Sequence, residues 1–88
     1  MKNLLSEKDA KIVTAILVEQ LSVNPDQLTS DAGIESDLGG DSLEMVEIAL
    51  ALEEKFGISI PDEQMERIVT VGDLFEVLAE LLSPADRR

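Results

Sequence analysis

The stretch DLGGDSLEMVEI, at residues 37 to 48, marks the change from a glycine-rich loop to a helix. The adjacent glycines end the preceding segment, because such pairs favour turns and loops over regular structure. Apolar residues then recur at helical spacing, which predicts a helix over residues 42 to 56. Asp41 and Glu44 have the three-residue spacing of a capping box, and this spacing places the helix start at Ser42.

Ser42 is the candidate functional residue of this stretch. If Asp41 caps the helix, the Ser42 hydroxyl is not needed for capping and lies on an open surface beside free backbone N–H groups. Such groups favour an anion, which suits a phosphate ester at this hydroxyl. For the tripeptide at residues 41 to 43 alone, an ordinary serine in a helix start is the more common explanation.

The length of the chain predicts one small domain over residues 1 to 88. Hydrophobic residues make up 44 % of the sequence, but only Phe56 and Phe75 are aromatic, so we expect a core of Leu, Ile and Val. No apolar run approaches the roughly 20 residues of a membrane span, and the amino terminus lacks the apolar region of a signal peptide. We therefore expect a cytoplasmic protein.

Catalytic and metal-binding chemistry is poorly supported by the residue types present. The sequence contains no cysteine and no histidine, which excludes disulfides, the usual zinc constellations and Ser-His dyads. A hydrolase using Ser42 is the weakest of the function classes, because the Gly-x-Ser-x-Gly elbow is also absent. A calcium loop starting at Asp37 fails because its twelfth residue is Ile48 where a glutamate is needed. We predict no catalytic residue, no metal site and no enzymatic activity.

The charge of the chain limits its partners. Nineteen acidic residues against seven basic ones give a formal net charge of −12. Such a charge argues against binding nucleic acid or an anionic membrane surface and favours partners with basic patches. A purely solubilising role for the charge is an equally common explanation.

Helical spacing of apolar residues predicts two further helices, over residues 7 to 21 and 71 to 82. A short third helix is predicted to open at Pro61 and to continue through residues 62 to 67. Residues 22 to 41 are predicted to form a long loop, and residues 83 to 88 a frayed tail. Three apolar side chains are expected to pin the loop to the core: Leu28, Ile34 and Leu38. Three longer helices and one short helix, all with apolar stripes, predict an all-α fold, a small four-helix bundle with a long loop between helices one and two.

Local signals set the remaining boundaries. Ser6 offers a cap for the first helix, and Thr70 with Asp73 forms a cap-like pair before the last. Pro61 suits the first position of the short third helix. Residues 57 to 61 alternate like a strand but have no partner strand in the sequence, so we interpret them as an extended loop.

The second helix has two contrasting sides at about 100° per residue. One side collects Glu44, Glu47, Ala51, Glu54 and Lys55, and the other collects Met45, Ile48, Ala49, Leu52 and Phe56. Leu43 and Leu50 lie beside the acidic edge. This arrangement suits docking of a basic, partly apolar surface, although an ordinary solvated face is the more common explanation. Glu53 falls on the apolar side, and helical spacing does not explain it.

The run at residues 37 to 48 resembles the modification site of acyl carrier proteins, in which a phosphopantetheine arm is attached to the serine of an Asp-Ser-Leu tripeptide. The resemblance continues through residues 51 to 63 and 68 to 73, and also covers residues 19 to 23. It implies that Ser42 carries 4'-phosphopantetheine, transferred from coenzyme A by a phosphopantetheinyl transferase.

The resemblance also implies the role and the partners of the chain. Acyl intermediates would be held as thioesters on the thiol of the arm and presented to acyl-transferring and chain-elongating enzymes with basic docking patches. The implied recognition surface comprises Asp41, Leu43, Glu44, Val46, Glu47, Leu50 and Glu54. A monomer is expected. An unmodified acidic adaptor predicts a similar surface, so only covalent modification separates it from a carrier.

One residue departs from the pattern of fatty-acid carriers. Gly40 replaces a frequent alanine, and the resulting Leu-Gly-Gly-Asp-Ser string is also similar to peptidyl carrier domains. The acidic second helix favours a freestanding acyl carrier for fatty-acid or related synthesis. A specialised aminoacyl or polyketide carrier is the alternative.

Overall fold

The computed structural model describes residues 5 to 82 and has the all-α fold expected from the sequence. Its four α-helices are α1 (Glu7–Leu21), α2 (Ser42–Phe56), α3 (Asp62–Met65) and α4 (Val71–Leu82). The bounds of α1, α2 and α4 are those predicted from apolar spacing. The predicted frayed tail at residues 83 to 88 lies outside the described residues.

Helix α1 is capped at both ends by serines. The Ser6 hydroxyl accepts a hydrogen bond from the Asp9 N–H at 3.1 Å, as the sequence predicted. Ser22 ends the helix in the left-handed region, at φ 56°, and its N–H donates to the Val18 carbonyl at 2.9 Å. A left-handed residue that closes the last turn in this way is a common helix end, although glycine is its usual occupant.

The core is aliphatic, in agreement with the composition. Its fully buried side chains come from α1, α2, α4 and the long loop: Val13, Leu17, Ile34, Ile48, Leu52, Val77 and Leu78. Phe56 and Phe75 are only partly buried and pack against this cluster. Burying an aliphatic side chain of this size contributes about 1.5 to 3 kcal/mol. The core therefore joins the first half of the chain to the second.

The long loop between α1 and α2 is fixed to the core as predicted. Ile34 and Leu38 are buried, and Leu28 packs against the cluster while partly exposed. The prediction of an irregular loop was wrong at one place, because Pro25–Gln27 forms a single turn of 3₁₀ helix. Proline has its φ fixed near the helical value, and the Asn24 N–H donates to Gln27 Oε1 at 2.9 Å, which stabilises the turn.

The loop is also joined to the start of α4 by an isolated antiparallel bridge between Gly33 and Thr70. Three backbone N–H groups donate across this joint: Ile34 to Val69 at 2.9 Å, Val71 to Ala32 at 3.0 Å and Gly72 to Ser30 at 2.8 Å. A side chain at position 72 would have no room, because a Cβ there would lie 2.8 Å from the Ser30 carbonyl oxygen. The glycine thus permits the loop backbone to approach the helix closely.

Thr70 and Asp73 form the capping box that the sequence predicted for α4. The Thr70 hydroxyl accepts from the Asp73 N–H at 3.1 Å, and Asp73 Oδ2 accepts from the N–H groups of Thr70 and Val69, both at 3.0 Å. These backbone hydrogen bonds hold the pKa of Asp73 below its usual range, because they stabilise the charged carboxylate.

The segment between α2 and α4 differs from its prediction in two details. Pro61 is the residue before α3 rather than its first residue, and α3 ends at Met65 instead of residue 67. After Met65 the chain forms a tighter, 3₁₀-like turn, because the N–H groups of Arg67 and Ile68 donate to carbonyls three residues back, those of Gln64 and Met65. This turn brings Ile68 into the core.

Candidate functional site

The start of α2 is held by a reciprocal pair of hydrogen bonds. Asp41 Oδ1 accepts from the Glu44 N–H at 2.9 Å, and Glu44 Oε1 accepts from the Asp41 N–H at 3.3 Å. Asp41 is therefore the N-cap, as predicted, and Ser42 is the first residue of the helix. A cap of this type typically stabilises a helix by about 1 kcal/mol.

Ser42 is exposed, and its hydroxyl makes no hydrogen bond to any residue between 5 and 82. Its approach is open, since Gly39 has a left-handed φ of 76° and a Cβ at that glycine would meet no atom within 4 Å. An unengaged oxygen nucleophile on an open helix start fits attachment of a phosphopantetheine arm through a phosphodiester.

Gly40 fixes the base of this site. It is buried, and its N–H donates to the Ile34 carbonyl at 2.9 Å. A Cβ at this position would lie 2.9 Å from Leu21 Cδ2 and 3.2 Å from Ile34 Cγ2. Glycine therefore fits without strain at the position where the sequence departs from fatty-acid carriers, whereas alanine would require the end of the Leu21 side chain to shift.

The outer side of α2 combines apolar and acidic residues. Leu43, Val46 and Leu50 are 65 %, 53 % and 59 % exposed, whereas Ile48 and Leu52 on the opposite side are buried. Four acidic residues accompany the apolar three: Asp41, Glu47 and Glu54 are exposed and Glu44 is half-buried. All seven residues that the resemblance assigned to partner recognition are therefore accessible at least in part.

Glu53 has a structural partner that the sequence did not reveal. Its side chain is half-buried, and Oε2 accepts a hydrogen bond from the Ile60 N–H at 2.7 Å. The signal in the sequence was a charged residue on the apolar side of α2, but its partner lies seven residues further along, beyond the end of α2. Another feature absent from the prediction is Val69, which is 63 % exposed beside the joint between the long loop and α4.

Across residues 5 to 82, no group of acidic side chains is arranged to hold a metal ion. None of the helices in that range is both long and apolar enough to cross a membrane.

Comparison with known proteins places the chain in a family. Residues 11 to 78 match the family model described as "Phosphopantetheine attachment site". An acyl carrier protein from Helicobacter pylori (strain G27) is 50 % identical over 68 residues, which cover 77 % of this chain and 87 % of that protein. One from Sulfurovum sp. (strain NBC37-1) is 52 % identical over 66 residues, covering 75 % and 88 %.

A solved structure gives the same result. The acyl carrier protein from Enterococcus faecalis superimposes with a TM-score of 0.73 at 33 % identity, over 85 % of this chain and 95 % of that one. Acyl carrier proteins are small helical bundles that hold intermediates for other enzymes, which agrees with the fold and the open start of α2. The chain therefore belongs to the acyl carrier protein family, whose members carry acyl groups on a covalently attached 4'-phosphopantetheine arm.

Proposed function

We propose that Ser42 is the attachment residue for the arm and that this chain carries acyl thioesters for fatty-acid or related biosynthetic enzymes. The observation that supports this most directly is that the cap and the free hydroxyl at the start of α2 belong to two different residues. Asp41 provides the cap, which leaves the hydroxyl of the next residue exposed and unengaged.

The chain's own contribution to the chemistry is the placement of one oxygen atom. A base of the phosphopantetheinyl transferase would take the proton of the Ser42 hydroxyl. The Ser42 oxygen would bond to the phosphorus next to the pantetheine of coenzyme A as the pyrophosphate bond breaks, which leaves a phosphodiester on the serine and releases adenosine 3',5'-bisphosphate. When bound, the arm supplies the terminal thiol on which acyl groups are held, which a sequence without cysteine lacks. The proposal assigns no catalytic step to the chain itself, because the enzymes that it meets supply the acids and bases.

The outer side of α2 is the proposed recognition surface. Exposed Leu43, Val46 and Leu50 offer an apolar strip beside Ser42, and this strip is flanked by four acidic residues: Asp41, Glu44, Glu47 and Glu54. Apolar contacts would supply affinity, whereas the acidic field would steer partners with basic patches and raise their association rates. The transferase and the acyl-transferring and chain-elongating enzymes are the proposed partners.

The cargo, the location and the oligomeric state of the chain are also proposed. Packing against Leu21 and Ile34 favours glycine at position 40 whatever the cargo, so the Leu-Gly-Gly-Asp-Ser string gives no separate support for an aminoacyl carrier. We therefore favour fatty-acyl groups as the cargo. We also propose that the chain acts as a cytoplasmic monomer. Native mass spectrometry of the purified chain tests the monomer, and a dominant dimer at micromolar concentration would contradict it.

Intact mass measurement tests the attachment residue. The wild type, Ser42→Ala and Ser59→Ala are incubated with coenzyme A and a broad-specificity transferase. Ser59 is the matched control because it is another exposed serine. We expect the wild type and Ser59→Ala each to gain one arm and Ser42→Ala to gain none. Equal labelling of all three would assign the arm elsewhere, and no labelling of any would favour the unmodified adaptor.

A further inference from the structure

A shallow groove crosses α1 and reaches the end of α2. It consists of three adjoining depressions, each with a volume of about 410 to 440 Å³. The first and second depressions share Lys11 and Ala15, and the second and third share Ile16 and Lys55. The groove therefore continues from Pro25 at one end to the last turn of α2 at the other.

The floor of the groove is aliphatic. Ile12 lies in the middle depression and Val18 in the first, and both side chains are only partly buried. Neither is among the apolar residues that form the core of the described chain or pack against it, whereas Val13 and Leu17 of the same helix are fully buried. Ala15 is exposed and connects the two depressions. This apolar surface lies outside the core and is accessible to a ligand.

The middle depression collects positive charge in an acidic protein. Lys11 of α1 and Lys55 of α2 both line it and are both exposed, and its one acidic residue is Glu19. The single ion pair between residues 5 and 82 joins Arg67 and Glu80, so neither lysine has an acidic partner in that range. In a chain with a net charge of −12, two unpaired lysines at one depression give a local surplus of positive charge. This surplus favours an anionic group at that point of the groove.

We infer that the groove binds a long-chain carboxylate, with the carboxylate between Lys11 and Lys55 and the alkyl chain along Ala15 and Val18 towards Pro25. An anionic amphiphile of this kind uses both features of the groove. A small anion would leave the apolar floor exposed to water, and a neutral hydrocarbon would leave the lysines unpaired. The volume of each depression is within the range of small-ligand sites, about 300 to 1,000 Å³.

Binding in the groove is independent of the arm. Lys55 is in the last turn of α2, whereas Ser42 is the first residue of that helix, about 20 Å away along its axis. A carboxylate in the groove therefore leaves the proposed attachment residue accessible. An anionic bilayer is not expected to bind there, because the net charge of the whole chain repels an extended surface of the same sign.

Titration with decanoate tests the site. Decanoate is added, below its micelle concentration, to the unmodified full chain, and the amide chemical shifts are followed by NMR. We expect saturable shifts at Lys11, Ile12 and Ala15 and none at Ser42. Hexanoate has the same charge and four fewer methylene groups, so we expect it to bind more than about tenfold more weakly.

Charge substitutions separate the two lysines from the charge of the chain as a whole. Lys11→Gln/Lys55→Gln should weaken decanoate binding by about tenfold, which is the scale of two exposed ion pairs. Lys8→Gln/Arg67→Gln is the matched control, because it changes the net charge equally at exposed residues outside the three depressions. The control should bind decanoate as the wild type does. Glu19→Gln removes the acidic residue of the middle depression and should tighten binding.

Four results would overturn the inference. Equal weakening by the two double variants would show that only the net charge matters. Shifts centred on core amides such as that of Leu78 would place the alkyl chain inside the bundle. The absence of saturable shifts would show that the groove does not take a long-chain carboxylate. Sedimentation of the chain with phosphatidylglycerol vesicles, reversed by decanoate, would assign the groove to a lipid surface. None of these results depends on whether Ser42 accepts the arm.

Discussion

The starts of α2 and α4 are built on the same reciprocal cap but differ in what lies over them. Asp41 pairs with Glu44 at α2 and Thr70 with Asp73 at α4, each through two hydrogen bonds between a side chain and a backbone N–H. At α4 the next two residues are buried, and their N–H groups donate to carbonyls of the long loop. At α2 the next two residues are exposed.

This difference separates a structural joint from a candidate site. Capping satisfies only part of the N–H groups at a helix start, and the rest need another partner. The long loop supplies that partner at α4, through the carbonyls of Ser30 and Ala32. The open surface at α2 leaves room for a ligand beside Ser42. The sequence of a cap therefore does not indicate function, whereas the burial of the residues that follow it does.

The largest effect should come from crowding the joint at α4. In Gly72→Ala the new Cβ would lie 2.8 Å from the Ser30 carbonyl oxygen, so loop or helix must shift. Overpacking of this kind costs about 1 to 3 kcal/mol, and the better helix propensity of alanine offsets about 1 kcal/mol at most. We expect a net loss in the free energy of unfolding measured with denaturant.

The corresponding change at α2 should have almost no effect on stability. Ser42→Ala removes a hydroxyl that no residue from 5 to 82 engages, so the free energy of unfolding should stay within about 0.5 kcal/mol of the wild type. Equal destabilisation by Gly72→Ala and Ser42→Ala would contradict the distinction between the two helix starts.

Charge reversal on α2 should have a smaller effect, which is on the rate of association with the transferase. Glu47→Lys/Glu54→Lys reverses two exposed charges on α2 that take no part in its cap. Single exposed ion pairs contribute only about 0 to 1 kcal/mol, but a collective field raises association rates by about 10 to 10³-fold. We expect the rate of binding to the transferase to fall by about tenfold at low salt in stopped-flow measurements.

The control for this prediction changes the net charge equally but elsewhere. Glu19→Lys/Glu76→Lys alters exposed residues of α1 and α4 and should slow association far less. The deficit of the α2 variant should also shrink as salt rises, because salt screens the field. Equal association rates for the two variants at low salt would show that the acidic side of α2 has no special part in binding and serves only as a solubilising surface.

A modest effect should be the pH dependence of the cap at α4. Because the folded protein lowers the pKa of Asp73, this carboxylate stabilises the fold above its unfolded pKa, and the contribution is lost as the pH falls through the folded pKa. Asp73→Asn should therefore be less stable than the wild type at pH 7, by about 1 kcal/mol or less. The difference in unfolding free energy between the two proteins should become smaller towards pH 3, as measured by denaturant titrations between pH 7 and pH 3. An equal difference at pH 7 and at pH 3 would contradict the assignment of a lowered pKa to Asp73 in the folded protein.

Local patterns predicted most of the fold. Apolar spacing and caps were sufficient for α1, α2 and α4, because in these helices the periodicity, the cap and the burial agree. The short α3 was predicted to begin one residue too early, at Pro61, and to end two residues too late, since the turn after Met65 depends on where the core receives Ile68. The turn at Pro25–Gln27 was missed for a similar reason, because three residues show no periodicity.

Features that depend on distant residues could not be predicted. The bridge between Gly33 and Thr70 joins positions far apart in the sequence, and nothing near either residue indicates the other. The same holds for Glu53, whose place on the apolar side of α2 was visible but whose bond to Ile60 was not. The exposed start of α2 was predicted correctly, because the glycines, the cap and Ser42 are adjacent in the sequence.

Mapping the modified residue tests the central claim most directly. The chain contains seven serines, so a mass gain of one arm does not by itself identify the acceptor. After incubation with coenzyme A and the transferase, the wild type is digested and its peptides are fragmented with the arm retained. The open start of α2 predicts that the arm is found on Ser42 alone. An arm on any other residue, or none on a chain that remains folded, would contradict the account.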